Sequence, residues 1–190
     1  NHVQIQITGE FRKALSLMES GQSVFITGKA GTGKSTLLNA FRDATKKNIV
    51  ILAPTGIAAL NVSGQTIHSF FRLPPRLLSH KDIKWGRPKS LYRELDAIVI
   101  DEISMVSANL MDAIDMFMRK NRDKTKPFGG CQMVLFGDPY QLPPVVDDAQ
   151  AEIMDHMYET PYFFSSPAFK QLKIRMIELT QVFRQKDAEF

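Results

Sequence analysis

Residues 24–36 read VFITGKAGTGKST, an apolar run followed by a glycine-rich segment. A short apolar run, Val24–Thr27, leads into a segment from Gly28 to Ser35 that fits the pattern G-x-x-x-x-G-K-[ST]. Glycines in this pattern let successive backbone N–H groups face phosphate oxygens, and the following helix adds the positive end of its dipole. The stretch therefore predicts a strand, a phosphate-binding loop and a helix, in that order.

Three more apolar runs lack polar alternation: IVILA from Ile49, IVID from Ile98 and MVLFGD from Met133. Such runs are typical of parallel strands that are covered on both faces. Residues 174–179 form a fifth candidate strand, and segments with helical spacing separate the runs. This alternation predicts one α/β domain over residues 1–190, with a mainly parallel sheet whose ligands bind at the carboxyl ends of the strands.

Composition favours a soluble globular protein that works inside the cell. Of the 190 residues, 44% are hydrophobic and 23% are charged. The apolar runs are far shorter than the roughly 20 residues of a membrane-spanning helix. The one cysteine, Cys131, cannot form an internal disulfide. We expect an intracellular location, which would be cytoplasmic in a bacterium and nuclear or mitochondrial in a eukaryote, and no membrane partner.

Several side chains at the predicted strand ends suit phosphoryl transfer. Lys34 supplies a charge to the outer phosphates, the hydroxyl of Ser35 and the carboxylate of Asp101 suit magnesium, and Glu102 is placed to accept a proton from water. The predicted phosphate-binding residues are Gly28, Lys29, Ala30, Gly31, Thr32, Gly33, Lys34, Ser35 and Thr36. Gln141 is a candidate for orienting water, and Arg184 for placing a forked cation on the transferred group. Taken alone, an acid pair at a strand end is more often a solvated terminus.

Basic residues are concentrated in two segments, although the net charge is only +4. The first segment, which also reads as an irregular insertion at about 72–93, contains Arg72, Arg76, Lys81, Lys84, Arg87, Lys89 and Arg93. The second contains Lys120, Arg122, Lys124 and Lys126. Each is either a solvated face or a surface that meets a polyanion.

Five blocks in this order resemble the motifs of the petite-integration-frequency (PIF-type) DNA helicases, a superfamily 1 family that moves 5′ to 3′ on single strands. The blocks are GKAGTGKST, APTGIAALNVSGQTIHSFF, VIDEISM, LFGDPYQLPPV and LTQVFRQ. The resemblance implies a P-loop NTPase with a RecA-like three-layer α/β/α fold, the first motor domain of an ATP-dependent DNA helicase. It also implies ATP and Mg²⁺ as cofactors and a role in DNA repair, replication or genome and telomere maintenance.

The same resemblance implies the partners and the contact residues. Single-stranded DNA would meet Thr55, Gly56, Thr66 and His68, and the other partners would be duplex junctions and a second RecA-like domain. Alone, this domain would hydrolyse ATP weakly or not at all. Phe11 stands about where the family has an adenine-reading glutamine, and Gln4 or Gln6 are the alternatives. The basic insertion, which includes Trp85, would lie beside DNA at the strand-separating edge.

Two other functions remain open at this point. The chain is alternatively a nucleotide-dependent module that binds nucleic acid or a protein partner without turnover. It is alternatively another P-loop enzyme, such as a relaxase-helicase or an exonuclease subunit, although the block TIHSFF at residues 66–71 argues against that class.

Overall fold

The computed structural model describes residues 9–29, 31–138, 144 and 146–180. Within these ranges, six strands form one sheet in the order β3-β2-β4-β5-β1-β6, and all the pairs are parallel. The strands are β1 (Val24–Thr27), β2 (Ile49–Ala53), β3 (Gln65–Thr66), β4 (Ala97–Ile100), β5 (Gln132–Gly137) and β6 (Arg175–Glu178). The five predicted strands are confirmed, and β3 is an addition that the sequence did not predict.

Helices connect the strands and cover both faces of the sheet. They are α1 (Gly9–Glu19), α2 (Lys34–Ala44), α3 (Gly56–Asn61), α4 (Ile67–Phe71), α5 (Lys89–Arg93), α6 (Ala108–Asn121), α7 (Asp148–Met157) and α8 (Pro167–Gln171). Five of them begin after a side-chain oxygen that accepts a backbone N–H of the first turn, from Thr55, Thr66, Ser107, Asp147 and Ser166. Among the described residues, no helix has the length and apolar character needed to cross a membrane.

The core lies in two layers, one on each face of the sheet. Val24 and Ile26 of β1 pack into the layer that contains α1 and α2, whereas Phe25 packs into the layer that contains α4, α5 and α6. Met111 and Met118 of α6 are fully buried in that second layer. The predicted three-layer α/β/α architecture is confirmed.

The segment between α4 and α5 is irregular, as predicted, but it is well anchored to α6. The side chain of Asn109 accepts the N–H of Leu78 and donates to its carbonyl, both at 2.9 Å. Farther along, Asn121 accepts the N–H of Gly86 at 2.7 Å. The predicted irregular stretch was too long at its carboxyl end, since residues 89–93 form α5 and bury Tyr92.

Candidate functional site

The carboxyl ends of the strands meet along one edge of the sheet. Thr27 of β1 is in register with Gly137 of β5, and Leu52 of β2 is in register with Ile100 of β4. The residues that follow the strands are therefore neighbours, namely Gly28, Pro54, Asp101, Asp138 and Leu179. The phosphate-binding loop, the acid pair and the APTG segment converge at this edge, where open α/β sheets bind ligands.

The phosphate-binding loop needs glycine at its first position. A Cβ atom on Gly28 would lie 2.5 Å from Thr32 Oγ1 and 2.8 Å from the carbonyl oxygen of Leu179. Gly33 has a φ of 93°, in the left-handed region that side chains disfavour, and it directly precedes α2. The hydroxyl of Thr32 donates to the carbonyl of Lys29 at 2.7 Å and closes the loop on itself.

Lys34 begins α2 and directs its ammonium back over the loop. Its Nζ donates to the carbonyl of Gly28 and, at 3.1 Å, to the carbonyl of Lys29. Ser35 is exposed on the first turn of the same helix and Thr36 is half-buried. The loop and the first turn of α2 thus carry a cation, a hydroxyl and a helix start, which is the donor set that a polyphosphate with a bound Mg²⁺ requires.

Three acids lie beside the loop. Burial raises the pKa of Asp101, while the ammonium of Lys34 acts in the opposite direction. Burial likewise raises the pKa of Glu102, and the negative charges of Asp101 and Asp138 add to that rise. Because Lys34 offsets the shift at both Asp101 and Glu102, these groups belong to one electrostatic site.

The donors fit a magnesium ion that takes most of its ligands from outside the protein. Within the described ranges, no three histidine, cysteine or acidic side chains are grouped closely enough to hold a metal by themselves. Mg²⁺ usually keeps several waters and binds through one or two protein groups together with substrate phosphates. Ser35 and Asp101 are the residues that suit this role.

Glu102 has an uncommon backbone conformation. Its φ of 52° and ψ of 45° place it in the left-handed region, which few residues other than glycine adopt. It precedes a 3-10 turn, Ile103–Met105, and the N–H of Met105 donates to the carbonyl of Glu102 at 3.0 Å. The backbone therefore turns sharply two residues after the end of β4.

The predicted nucleic-acid contacts lie at the starts of two short helices. Thr55 accepts the N–H of Ala58 and Thr66 accepts the N–H of Ser69, each at 3.2 Å. In both cases the hydroxyl oxygen is used as a cap, which leaves the hydroxyl hydrogen available to donate to a phosphate. Gly56 is exposed beside Thr55.

His68 lies on α4 and shares a cavity with Thr55. The cavity has a volume of about 230 Å³, and Met105 and Ser107 form part of its wall. Burial lowers the pKa of His68, so its imidazole is neutral at pH 7 and has one N–H to donate. Thr66 and Gly56 are outside the cavity lining, so the structure brings together only two of the four predicted contacts in this cavity.

Comparison with known proteins identifies the family. The model of the PIF1-like helicase family matches residues 4–190. The chain belongs to this family. Among its relatives, the ATP-dependent DNA helicase PIF1 of Candida albicans is 39% identical over 194 residues, and the human PIF1 is 35% identical over 196 residues. These alignments cover 96% and 97% of the chain but only 21% and 28% of the relatives.

Solved structures of Pif1 helicases have the same fold as this member of the PIF1-like family. The Bacteroides Pif1 in complex with ADP-AlF3 and ssDNA has a TM-score of 0.88 and 37% identity, over 97% of this chain and 44% of that one. A structure of two coordinating Pif1 helicases at forked dsDNA has a TM-score of 0.87 and 38% identity, over 96% of this chain and 46% of that one. The chain therefore spans less than half of these solved helicases, and the predicted RecA-like fold is confirmed.

Some predicted residues of this PIF1-like chain fall outside the described ranges. These are Ala30, Gln141, Arg184, Gln4 and Gln6. Phe11, which stands about where the family has its adenine-reading glutamine, is 3% exposed and packs in the core with α2.

Sequence reasoning missed two residues of this site. Asp138 is buried directly after β5 and acts on the pKa of Glu102. Its signal was present in the GDP block at 137–139, where a carboxylate follows a strand just as Asp101 does. Met105 gave no such signal, because a methionine after an acid pair reads as core.

Proposed function

We propose that this chain is the ATP-binding motor domain of an ATP-dependent 5′ to 3′ DNA helicase that acts on single-stranded DNA. One observation carries the proposal. The ammonium of Lys34, the acids Asp101 and Glu102, and the cavity with Thr55 and His68 all lie at the carboxyl edge of one parallel sheet. The relatives named as ATP-dependent DNA helicases and the Pif1 structures with ADP-AlF3 and ssDNA support it.

ATP would supply the phosphoryl group, and Mg²⁺, when bound, would neutralise the charge that develops on the phosphate oxygens. The backbone N–H groups from Gly28 to Thr36 hold the phosphates, and Lys34 exchanges its carbonyl partners for phosphate oxygens. Ser35 and Asp101 would hold the metal. Glu102, whose raised pKa suits a general base better than that of an exposed carboxylate, accepts the proton of the attacking water.

Residues outside the described ranges complete the proposed site. Gln141 orients the water or senses the terminal phosphate, and Arg184 stabilises the transferred group. A second RecA-like domain of the same protein closes over the nucleotide, so the domain alone turns over ATP weakly. We propose an intracellular role at single strands and duplex junctions in DNA repair, replication or genome and telomere maintenance.

DNA-stimulated hydrolysis of ATP tests this function. In the full-length protein, oligo-dT should raise the ATPase rate, and Glu102→Gln should abolish that rate while the protein still binds a fluorescent ATP analogue. Nucleotide and oligo-dT binding without turnover in the wild-type protein would instead establish a passive binding module. Stimulated hydrolysis that survives Glu102→Gln would refute the assigned base.

A further inference from the structure

A single turn of backbone joins the candidate general base to the candidate DNA cavity. Glu102 stands immediately before the turn Ile103–Met105, and Met105 at its other end lines the cavity together with Thr55 and His68. The N–H of Met105 donates directly to the carbonyl of Glu102 at 3.0 Å. A shift of Met105 therefore acts on the backbone of Glu102 through one hydrogen bond.

Ile103 fixes the middle of this connection. Its side chain is fully buried, and a Cβ atom added to Gly137 would lie 2.7 Å from Ile103 Cγ2. Close packing of Ile103 against the end of β5 leaves it little room to move. Glu102 and Met105 lie on either side of this fixed residue. A displacement of Met105 therefore changes the position of Glu102 while Ile103 stays in place.

The conformation of the turn is held by its surroundings rather than by its own preferences. Glu102 occupies the left-handed region, which persists in a residue of this type only where neighbouring structure imposes it. The hydroxyl of Ser104, only 2% exposed, has no hydrogen-bond partner among the described residues. A buried hydroxyl without a partner is unfavourable, so an alternative position that gives it a partner is readily stabilised.

We propose that Met105 is a positioning residue for Glu102, and that it makes ATP hydrolysis respond to DNA. This inference rests on the proposed function. A single strand that contacts Thr55 and His68 also contacts Met105 in the wall of the same cavity and displaces it. The turn around Ile103 transmits this displacement to the carboxylate of Glu102. DNA favours the position of Glu102 that is active in hydrolysis, because DNA binds more tightly when Met105 is in the matching position.

The test compares two methionines that line the same cavity. Met105 lies on the turn, whereas Met154 reaches the cavity from α7 and has no bond to Glu102. The full-length wild-type, Met105→Ala and Met154→Ala proteins are assayed at saturating ATP with and without saturating oligo-dT. We expect Met105→Ala to lower the ratio of the two kcat values about fivefold, with the KM for ATP unchanged, and Met154→Ala to keep the wild-type ratio.

Ser104→Ala is a second variant that removes a hydroxyl without opening a cavity. It should lower the same ratio without lowering the thermal stability of the protein, and it decides the matter if Met105→Ala does not fold. If oligo-dT stimulates the wild-type protein and the variants that fold keep the wild-type ratio of kcat values, the inference is overturned and the proposed function stands. An equal loss in Met105→Ala and Met154→Ala also overturns it, because cavity shape then explains the effect. A wild type that oligo-dT does not stimulate contradicts the proposed function and the inference with it.

Discussion

The proposed hydrolysis of ATP depends on two side chains, the ammonium of Lys34 over the loop and the carboxylate of Glu102 after β4. The role of Lys34 follows from its fixed place in the glycine pattern, and the structure sets its ammonium over the carbonyls of the loop. The left-handed backbone of Glu102 could not be predicted, because it depends on how Ile103 packs against Gly137, thirty-four positions along the chain. Asp138 was missed for a similar reason, since its charge matters only where β5 ends beside β4.

Removal of the Lys34 amine should cost nucleotide binding specifically. Its ammonium is the charge directed over the loop, so Lys34→Ala should weaken the affinity for ATP about tenfold or more. Lys29→Ala is the matched control. Lys29 is exposed in the same loop, and its contacts with Thr32 and Lys34 are made by its backbone carbonyl, which the substitution keeps. Titration of the full-length protein with a fluorescent ATP analogue measures both. Equal weakening in the two variants would contradict the placement of Lys34.

At the scale of elements, the long buried strands were predictable and the short elements were not. The strands β1, β2, β4 and β5 are apolar runs, and such runs indicate strands that are covered on both faces. In contrast, β3 has only two residues, one exposed and one half-buried, and α3 and α4 depend on the capping oxygens of Thr55 and Thr66. Caps of this kind are visible in a sequence only once the strand ends are known.

The insertion contains one ion pair that should make its stability depend on pH. Asp82 is largely buried and accepts hydrogen bonds from Nη1 and Nη2 of Arg76, at 3.0 and 2.6 Å. The hydrogen bond from Arg76, followed by that from the backbone of Ser79, lowers the pKa of Asp82. The stabilisation is therefore complete above the usual carboxyl pKa, about 3.9, and is lost as the pH falls through the lower pKa of the folded state.

Asp82→Asn should thus lower the Tm of the full-length protein at pH 6, and the difference from wild type should shrink toward pH 2. Asp155→Asn is the control, because Asp155 is exposed on α7. Thermal unfolding followed by circular dichroism checks both variants. A difference for Asp82→Asn that persists undiminished at pH 2 would contradict the ionic origin of the effect.

On the scale of the whole molecule, folding joins the two basic segments into one surface. Lys89 and Lys120 lie over the ring of Trp85, with Nζ at 4.5 and 4.9 Å from its centroid. Arg122 donates to the carbonyl of Leu95, just before β4, so this surface lies at the amino edge of the sheet. The phosphate-binding loop is at the opposite edge, separated by the length of α6, about 20 Å.

If this basic surface contacts DNA, its charges should set part of the salt dependence of binding. Three of its exposed residues are Lys84, Arg87 and Lys89. Their joint replacement by glutamine should reduce the slope of log DNA affinity against log salt concentration by about 2 to 3. Arg76 is unsuitable for this test, because it is engaged by Asp82. The control replaces Arg12, Lys13 and Lys46, which are exposed in the layer of α1 and α2. Equal slopes in the two variants would mark the surface as a solvated face.

A structure of the full-length protein with a non-hydrolysable ATP analogue, Mg²⁺ and oligo-dT would show whether the nucleotide, the metal and the single strand bind at the carboxyl edge of the sheet. We predict the phosphates within the loop from Gly28 to Thr36, the metal at Ser35 and Asp101, and the single strand across Thr55 and His68. Nucleotide bound away from Lys34, or oligo-dT that contacts neither Thr55 nor His68, would contradict the proposed function.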